Sequence, residues 1–264
     1  MARRIAVAAT GAFGADVLER LAAVHVVVQL LTRRDKPRGR GRKVAAPPAK
    51  AAAERLCIPF EQPAKLDSSV GIGAHTVVVC AYGLLIPDEL LERALWLNVH
   101  PSLLPRWRGA APVERALMAG DVETGVTIHR TVEALDAGPI AAQRAFAIAP
   151  DDDAGAVYAC SAEVAAELLR DVLAQDEPHF EPQAEEGVTY AEKIRPEDRE
   201  LDPDAPAQEL VDRVRALSPH IGARFGELLV WRARVGEDGS FEPLEVQPAG
   251  GRRMAYDAYL RGRR

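Results

Sequence analysis

Four residues at the end of one short apolar run offer a combination that suits acyl chemistry: Asn98, Val99, His100 and Pro101. In an extended segment, side chains two positions apart share a face, so Asn98 and His100 point the same way. A carboxamide N–H can hold an oxygen that gains negative charge, and an imidazole can carry a proton. The next segment, residues 101–112, is irregular: it reads PSLLPRWRGAAP, with three prolines among large apolar side chains. Such a segment is costly to order unless it lines something. Further along, Leu135-Asp136-Ala137-Gly138 comes after another strand-like run and sets a carboxylate beside a flexible turn. Asp136 is thereby a candidate to orient His100 or share its proton transfers. Upstream, Tyr82 to Pro87 (YGLLIP) comes after the buried-looking run TVVVC. The other five histidines, His25, His75, His129, His179 and His220, have no companion at ligand spacing and read as structural.

The elements needed to position these residues alternate between two kinds. Strand-like runs are 4–9, 25–32, 76–80, 97–100, 124–131 and 140–148. Helical spacing covers 13–23, 45–56, 87–95, 109–119 and 154–175, with Val17, Leu18 and Leu21 marking the inner face of the first helix and Val157, Cys160, Val164 and Leu168 that of the last. Strands alternating with helices indicate βαβ units and a mostly parallel sheet. Short apolar strands without strict alternation fit burial on both faces. A doubly wound sheet of this kind places ligands at the carboxyl ends of its strands, where Tyr82 and His100 fall. Beyond residue 175 the composition shifts to Pro, Asp, Glu and Gln. Then come an amphipathic helix over 208–217 and short strands over 227–235 and 241–247.

Composition narrows the setting. The 264 residues are 48% hydrophobic and 27% charged, which suits a globular chain with a real core. No run approaches the roughly 18–20 apolar residues of a membrane span, and the start of the chain does not read as a secretory leader. Cys57, Cys80 and Cys160 are odd in number, far apart and each in an apolar or small-residue context, as expected of reduced core thiols in a reducing compartment and not of a disulfide framework or a zinc site. The formal charge is −6, yet residues 33–43 (RRDKPRGRGRK) carry seven basic side chains and one acidic. A basic island on an acidic body suggests either a local phosphate contact or a solvated loop.

The run NVHPSLLPRWRGAAP, with ETGVTIHR and LDAG after it, resembles the folate-dependent formyltransferases. The basic island, VTYAEKI and LEVQPAGGRRM extend the likeness over nearly the whole chain, and favour the branch that acts on charged tRNA. The resemblance implies an α/β fold: a Rossmann-like, mostly parallel catalytic domain over residues 1–180, a linker over 181–205 and a small β-barrel-like domain over 206–264. That last domain is abbreviated, because only a short connection joins Trp231 to Leu244 where the family has more strands. It also implies a catalytic set of Asn98, His100 and Asp136. The implied folate contacts are Tyr82, Gly83, Leu84, Leu85, Ile86 and Pro87, with Ser102, Leu103, Leu104 and Pro105. Arg38, Arg40, Arg42 and Lys43 are the implied tRNA contacts, Arg40 foremost.

The expected activity is transfer of a formyl group from 10-formyltetrahydrofolate to the amino group of methionine on initiator tRNA, by a cytoplasmic monomer with no metal and no membrane partner. An enzyme formylating an amino sugar on a nucleotide would share the triad without needing the basic island; a non-catalytic RNA- or folate-binding relative would not need the triad. Two departures stand out. Ala9-Thr10-Gly11-Ala12 replaces the family's usual Gly-Thr-Pro turn, and Pro139 occupies a position where an Asp is often seen.

Overall fold

The computed structural model describes residues 2–38 and 43–262. In chain order its elements begin with β1 (Arg4–Ala9), α1 (Ala12–Ala22), β2 (Val26–Leu31), β3 (Lys36–Arg38), β4 (Lys43–Ala45), α2 (Pro48–Arg55), β5 (Phe60–Glu61) and β6 (Thr76–Cys80). Next are α3 (Asp88–Leu91), β7 (Leu95–His100), β8 (Arg108–Gly109), α4 (Pro112–Met118), β9 (Glu123–Arg130), β10 (Ile140–Ala147) and α5 (Ala154–Ala174). The chain ends with β11 (Tyr190–Ala191), α6 (Ala207–Leu217), β12 (Ala223–Phe225), β13 (Leu228–Val235), β14 (Phe241–Pro248), β15 (Met254–Ala255) and α7 (Tyr256–Arg261). They fall into two compact units. The first comprises Met1–Arg108, Gly125–Ala145 and Ala159–Val188; the second comprises Gly109–Thr124, Phe146–Tyr158 and Thr189–Arg264.

The first unit is built on a seven-stranded sheet in the order β10-β9-β7-β6-β1-β2-β5. Four neighbouring pairs, β2/β5, β1/β2, β1/β6 and β6/β7, are parallel, while β9 runs antiparallel to β7. Every residue from Ile5 to Ala9 is fully buried, as befits a central strand covered on both faces. Gly14 on α1 has a reason to be glycine: a Cβ there would lie 2.6 Å from the Cys80 carbonyl oxygen, so the side chain is given up for close helix–strand approach.

Several expected elements shift. The helix expected over 87–95 is a single turn, Asp88–Leu91, and the strand after it begins early at Leu95, whose amide bonds to the His75 carbonyl. Both α2 and α4 start later than expected, each with proline in its first turn, where the missing N–H costs nothing. On α5 the buried line runs through Val157, Ser161, Ala165, Leu168 and Val172, with Cys160 and Val164 half-buried at its margin. The ends of the basic island are not open loop: Lys36, Pro37 and Arg38 pair with Ala45, Val44 and Lys43 in an antiparallel ladder.

In the second unit a four-stranded sheet, β12-β13-β14-β15, is antiparallel throughout. Leu210, Val214 and Leu217 of α6 pack with Val230 and Val246 of the sheet. That spacing of four and three is what an amphipathic helix presents to one surface. Among the described residues no helix is long and apolar enough to cross a membrane.

Candidate active site

Register brings the first group together. On β7 and β9, Asn98 stands opposite His129, and His100 opposite Thr127. In an antiparallel pair directly opposed residues lie on one face, so all four share it. Asn98 Nδ2 lies 3.0 Å from His129 Nε2 and 3.2 Å from Asp136 Oδ1. A carboxylate only accepts, so the amino side of the carboxamide must face Asp136. His129 Nδ1 lies 3.1 Å from the Arg130 carbonyl oxygen, which also only accepts. The proton of a neutral His129 therefore sits on Nδ1, and bare Nε2 accepts from Asn98. Burial pushes the His129 imidazole down to about 4; the Asp136 carboxylate opposes this, and His100 and Arg108 add to the depression. His129 is thus neutral near pH 7, as the hydrogen bonding requires.

His100 is buried, 4% exposed. Its Nε2 donates to the Trp107 carbonyl oxygen at 2.8 Å, and its Nδ1 faces Asp136 Oδ2 at 3.7 Å. His129 Nε2 approaches the other carboxylate oxygen, Asp136 Oδ1, also at 3.7 Å. One carboxylate thus sits between two imidazoles and a carboxamide.

The backbone supporting these groups is strained. Four non-glycine residues among those described adopt positive φ: Cys57, Ala81 (48°), Trp107 (64°) and Asp136 (47°). Trp107 and Asp136 belong to the site segments and Ala81 directly precedes Tyr82, and such positions cost roughly 1–3 kcal/mol each. The turn carrying Asp136 is closed by the Arg130 amide bonding to the Pro139 carbonyl. Pro139, which cannot donate, lends only its oxygen there. Gly138 tolerates no side chain, since a Cβ would meet the Arg130 carbonyl oxygen at 1.8 Å.

The two segments expected to meet folate leave the carboxyl ends of neighbouring strands, β6 and β7. In the first, Tyr82 is buried, and its carbonyl accepts from Thr10 Oγ1 at 2.8 Å. Its hydroxyl is buried without a hydrogen-bond partner, and burial pushes the phenol up to about 12. Gly83 turns at φ 76°, Leu84 and Pro87 are half-buried, Ile86 is buried and Leu85 is 81% exposed. In the second, Ser102 is turned inward, donating to the Arg106 carbonyl at 2.7 Å. Thr127 Oγ1 donates to the Ser102 carbonyl and accepts from the Leu104 amide, and Gln143 Nε2 reaches the Leu104 carbonyl at 3.0 Å. Leu103 and Pro105 are half-buried, and Leu104 is 3% exposed. These contacts give residues 102–105 one defined path.

Arg38 and Lys43 stand opposite each other in the β3/β4 register. The expectations for Arg40 and Arg42 lie outside the described residues. Asp35, the one acidic residue of the island, is held by Lys50 Nζ at 2.8 Å and Gln62 Nε2 at 2.8 Å. Among the described residues no group of three or more His, Cys, Asp or Glu side chains could hold a metal ion. His129 is the residue that sequence reasoning missed. Its alternation with Thr127 was readable, but the register setting it against Asn98 was not.

Residues 3–173 match the model of a family described as formyl transferase. A methionyl-tRNA formyltransferase of Halorhodospira halophila (strain DSM 244 / SL1) is 39% identical over 303 aligned positions, covering 100% of this chain and 97% of that protein. Because those 303 positions exceed the 264 residues here, part of the relative has no counterpart in this chain. A solved sugar 3N-formyl transferase, studied with dTDP and 5-N-formyl-THF, superposes with a TM-score of 0.66 at 16% identity, covering 90% of this chain and 88% of that one. A methionyl-tRNA formyltransferase from Clostridium thermocellum gives a TM-score of 0.62 at 15% identity over 94% and 99% of the two chains.

Proposed function

The chain belongs to the formyl transferase family, and from that premise we propose that it transfers a formyl group from 10-formyltetrahydrofolate to the amino group of methionine on initiator methionyl-tRNA, for translation initiation. The observation that carries this reading is identity of 39% over the whole chain with a protein of that name, joined to the convergence of Asn98, His100 and Asp136. The chemistry is assigned to residues within 1–180 and a shortened β-barrel-like domain to 206–264; of the stretch 181–205, Glu181 and Gln183 pack on the first unit and the residues from Thr189 belong to the second.

The methionyl amine attacks the formyl carbon of bound folate, negative charge grows on the formyl oxygen, and collapse of the tetrahedral intermediate breaks the folate N10–carbon bond, so that tetrahydrofolate leaves with the proton the amine has lost. Asn98 Nδ2 and His100 Nε2 are the donors for that oxygen. In the resting protein both are engaged, Asn98 with His129 and Asp136, His100 with the Trp107 carbonyl. Substrate binding then exchanges one hydrogen-bond partner for another, so the donors stay oriented beforehand. His100, held with its Nδ1 3.7 Å from Asp136 Oδ2, helps move the amine proton to the departing folate nitrogen, and the carboxylate balances the charge the imidazole gains on the way. The exposed Leu85 offers an apolar contact to the flat face of the co-substrate. Residues 33–43 supply phosphate contacts, with Arg38, Arg40, Arg42 and Lys43 as the tRNA-binding set.

An amino-sugar nucleotide is the competing acceptor. The superposition with a sugar formyl transferase reflects shared fold at 16% identity, and gives that reading less support than the full-length relatives give the tRNA. Purified protein is assayed with 10-formyltetrahydrofolate and, in parallel, charged initiator tRNA or an amino-sugar nucleotide. Formylation of the tRNA is expected; formylation of only the sugar overturns the acceptor assignment. Neutralising several basic residues of 33–43 should flatten the salt dependence of tRNA binding, because fewer counterions are released. Equal slopes for parent and variant would remove the island from the tRNA contact.

A further inference from the structure

Gln183 lies in a segment whose composition reads as a connection, yet its side chain uses its full hydrogen-bonding capacity on the active site's supports. Its Nε2 donates to the Asp136 carbonyl at 2.7 Å and to the Gly138 carbonyl at 2.8 Å. Its Oε1 accepts from Arg108 Nε at 3.1 Å and Arg108 Nη2 at 2.6 Å. A primary amide offers two donors and two acceptor lone pairs, and all four are used. The backbone beside Gln183 is anchored: the amides and carbonyls of Ile140 and Glu181 exchange hydrogen bonds at 2.7 and 2.9 Å.

The two ends of this bridge matter. One is the turn bearing Asp136, whose own φ is 47° and which would not hold that conformation by local preference alone. The other is Arg108, directly after Trp107, whose φ is 64° and whose carbonyl receives His100 Nε2–H. His100 is therefore addressed from both sides, by the Trp107 carbonyl and the Asp136 carboxylate. Gln183 ties together the two backbone segments that present them. We infer that Gln183 is a positioning residue for the formyl transfer: it holds the Asp136 turn and the Trp107–Arg108 backbone at the separation that keeps His100 between carboxylate and carbonyl. This rests on the proposed function for its activity readout, and on geometry for the rest.

Two variants separate positioning from simple loop closure. Gln183→Glu keeps an acceptor for Arg108 and makes that contact charge-assisted, but turns an acceptor oxygen toward two carbonyls. Gln183→Met keeps the volume and removes every hydrogen bond. If Gln183 acts only by gripping Arg108, the Glu variant should match the parent. Positioning predicts that kcat falls about tenfold or more in both variants, with the KM for folate within about twofold, since small misplacements are expensive. A second readout needs no activity: the ring nitrogen chemical shifts of His100 and His129, measured by NMR on the full chain. Both rings should move in Gln183→Glu and Gln183→Met. Parent-like imidazole signals in both variants would overturn the inference, as would a Glu variant with parental kcat. A parent that formylates no tRNA would sink the functional reading, and the imidazole shifts would still decide the role of Gln183.

Discussion

In the second unit, Arg115 grips Asp198 with two nitrogens, at 3.0 and 2.8 Å, and the Arg195 amide adds a third contact at 2.8 Å. The Arg115 guanidinium beside Asp198 holds its carboxyl below the usual range. Asp212, 6% exposed, is also fastened, its Oδ1 accepting from Arg215 at 2.9 Å and Gln208 at 3.1 Å. Asp136 in the first unit is treated differently. It accepts from Asn98 at 3.2 Å and faces two imidazoles at 3.7 Å each, on a backbone turned to φ 47°. A forked guanidinium fixes a carboxylate and cancels its charge at every ordinary pH. An imidazole can gain or lose its charge, so a carboxylate beside one can respond when a proton arrives. Equal chemical types thus serve fastening in one unit and, in the proposed mechanism, proton movement in the other, with the partner deciding which.

The largest effect should come from removing the responding ring. His100→Ala is expected to lower kcat roughly a thousandfold, within the usual span for a general acid–base group, while folate binding stays near the parental value. Turnover close to parental would end the contrast, because His100 would then be one more buried packing residue. Asp136→Asn should come next, with a loss on the order of a hundredfold and an unchanged fold by circular dichroism. An amide still fits the turn but cannot balance an imidazolium. A variant that precipitates yet keeps specific activity would class Asp136 with Asp198 and Asp212.

His129 sharpens the comparison through pH. Its proton affinity in the folded chain is depressed to about 4 from the ordinary 6.5. Between those values the unfolded chain takes up a proton that the folded chain refuses, so stability falls as pH drops from about 6.5 towards 4. His129→Gln removes that contribution and keeps an oxygen acceptor for Asn98. Denaturant titrations across this range should give a shallower decline for the variant than for the parent, with kcat at pH 7 lowered less than about tenfold. Identical pH profiles would show that His129 is not held neutral. The smallest effect belongs to the second unit. Arg115→Leu should lower the melting temperature by a few degrees, the scale of about 1 kcal/mol in a chain of this size. Specific activity at 25 °C should not change. A large loss of activity at unchanged stability would place this pair in the chemistry after all.

Much of the first unit was readable because its signals are local. The unbroken apolar run at Ile5–Ala9, the Val17, Leu18 and Leu21 stripe and the alternation of strand and helix all come from which side chains must leave water. The pairing of Asn98 with His100 needed only a two-residue period. Other features were not readable, because a distant partner creates them. Two strand residues at Phe60–Glu61 carry no signal apart from the parallel partner Leu30–Leu31 that pairs them. The basic island's ends read as loop by composition, and backbone pairing made them a ladder.

The kind of fold and the inventory of reactive groups were set along the chain, since apolar period and residue type are properties of neighbours in sequence. Packing settled the relations among them. The antiparallel register between Leu95–His100 and Glu123–Arg130 set His129 against Asn98, where a one-residue slip would have turned that ring to the opposite face. Folding also brought Gln183 to Asp136 across 47 positions of sequence. Hydrogen-bond geometry acts over about 3 Å of space and is blind to separation along the chain, so no reading of neighbours could say which side chains would meet.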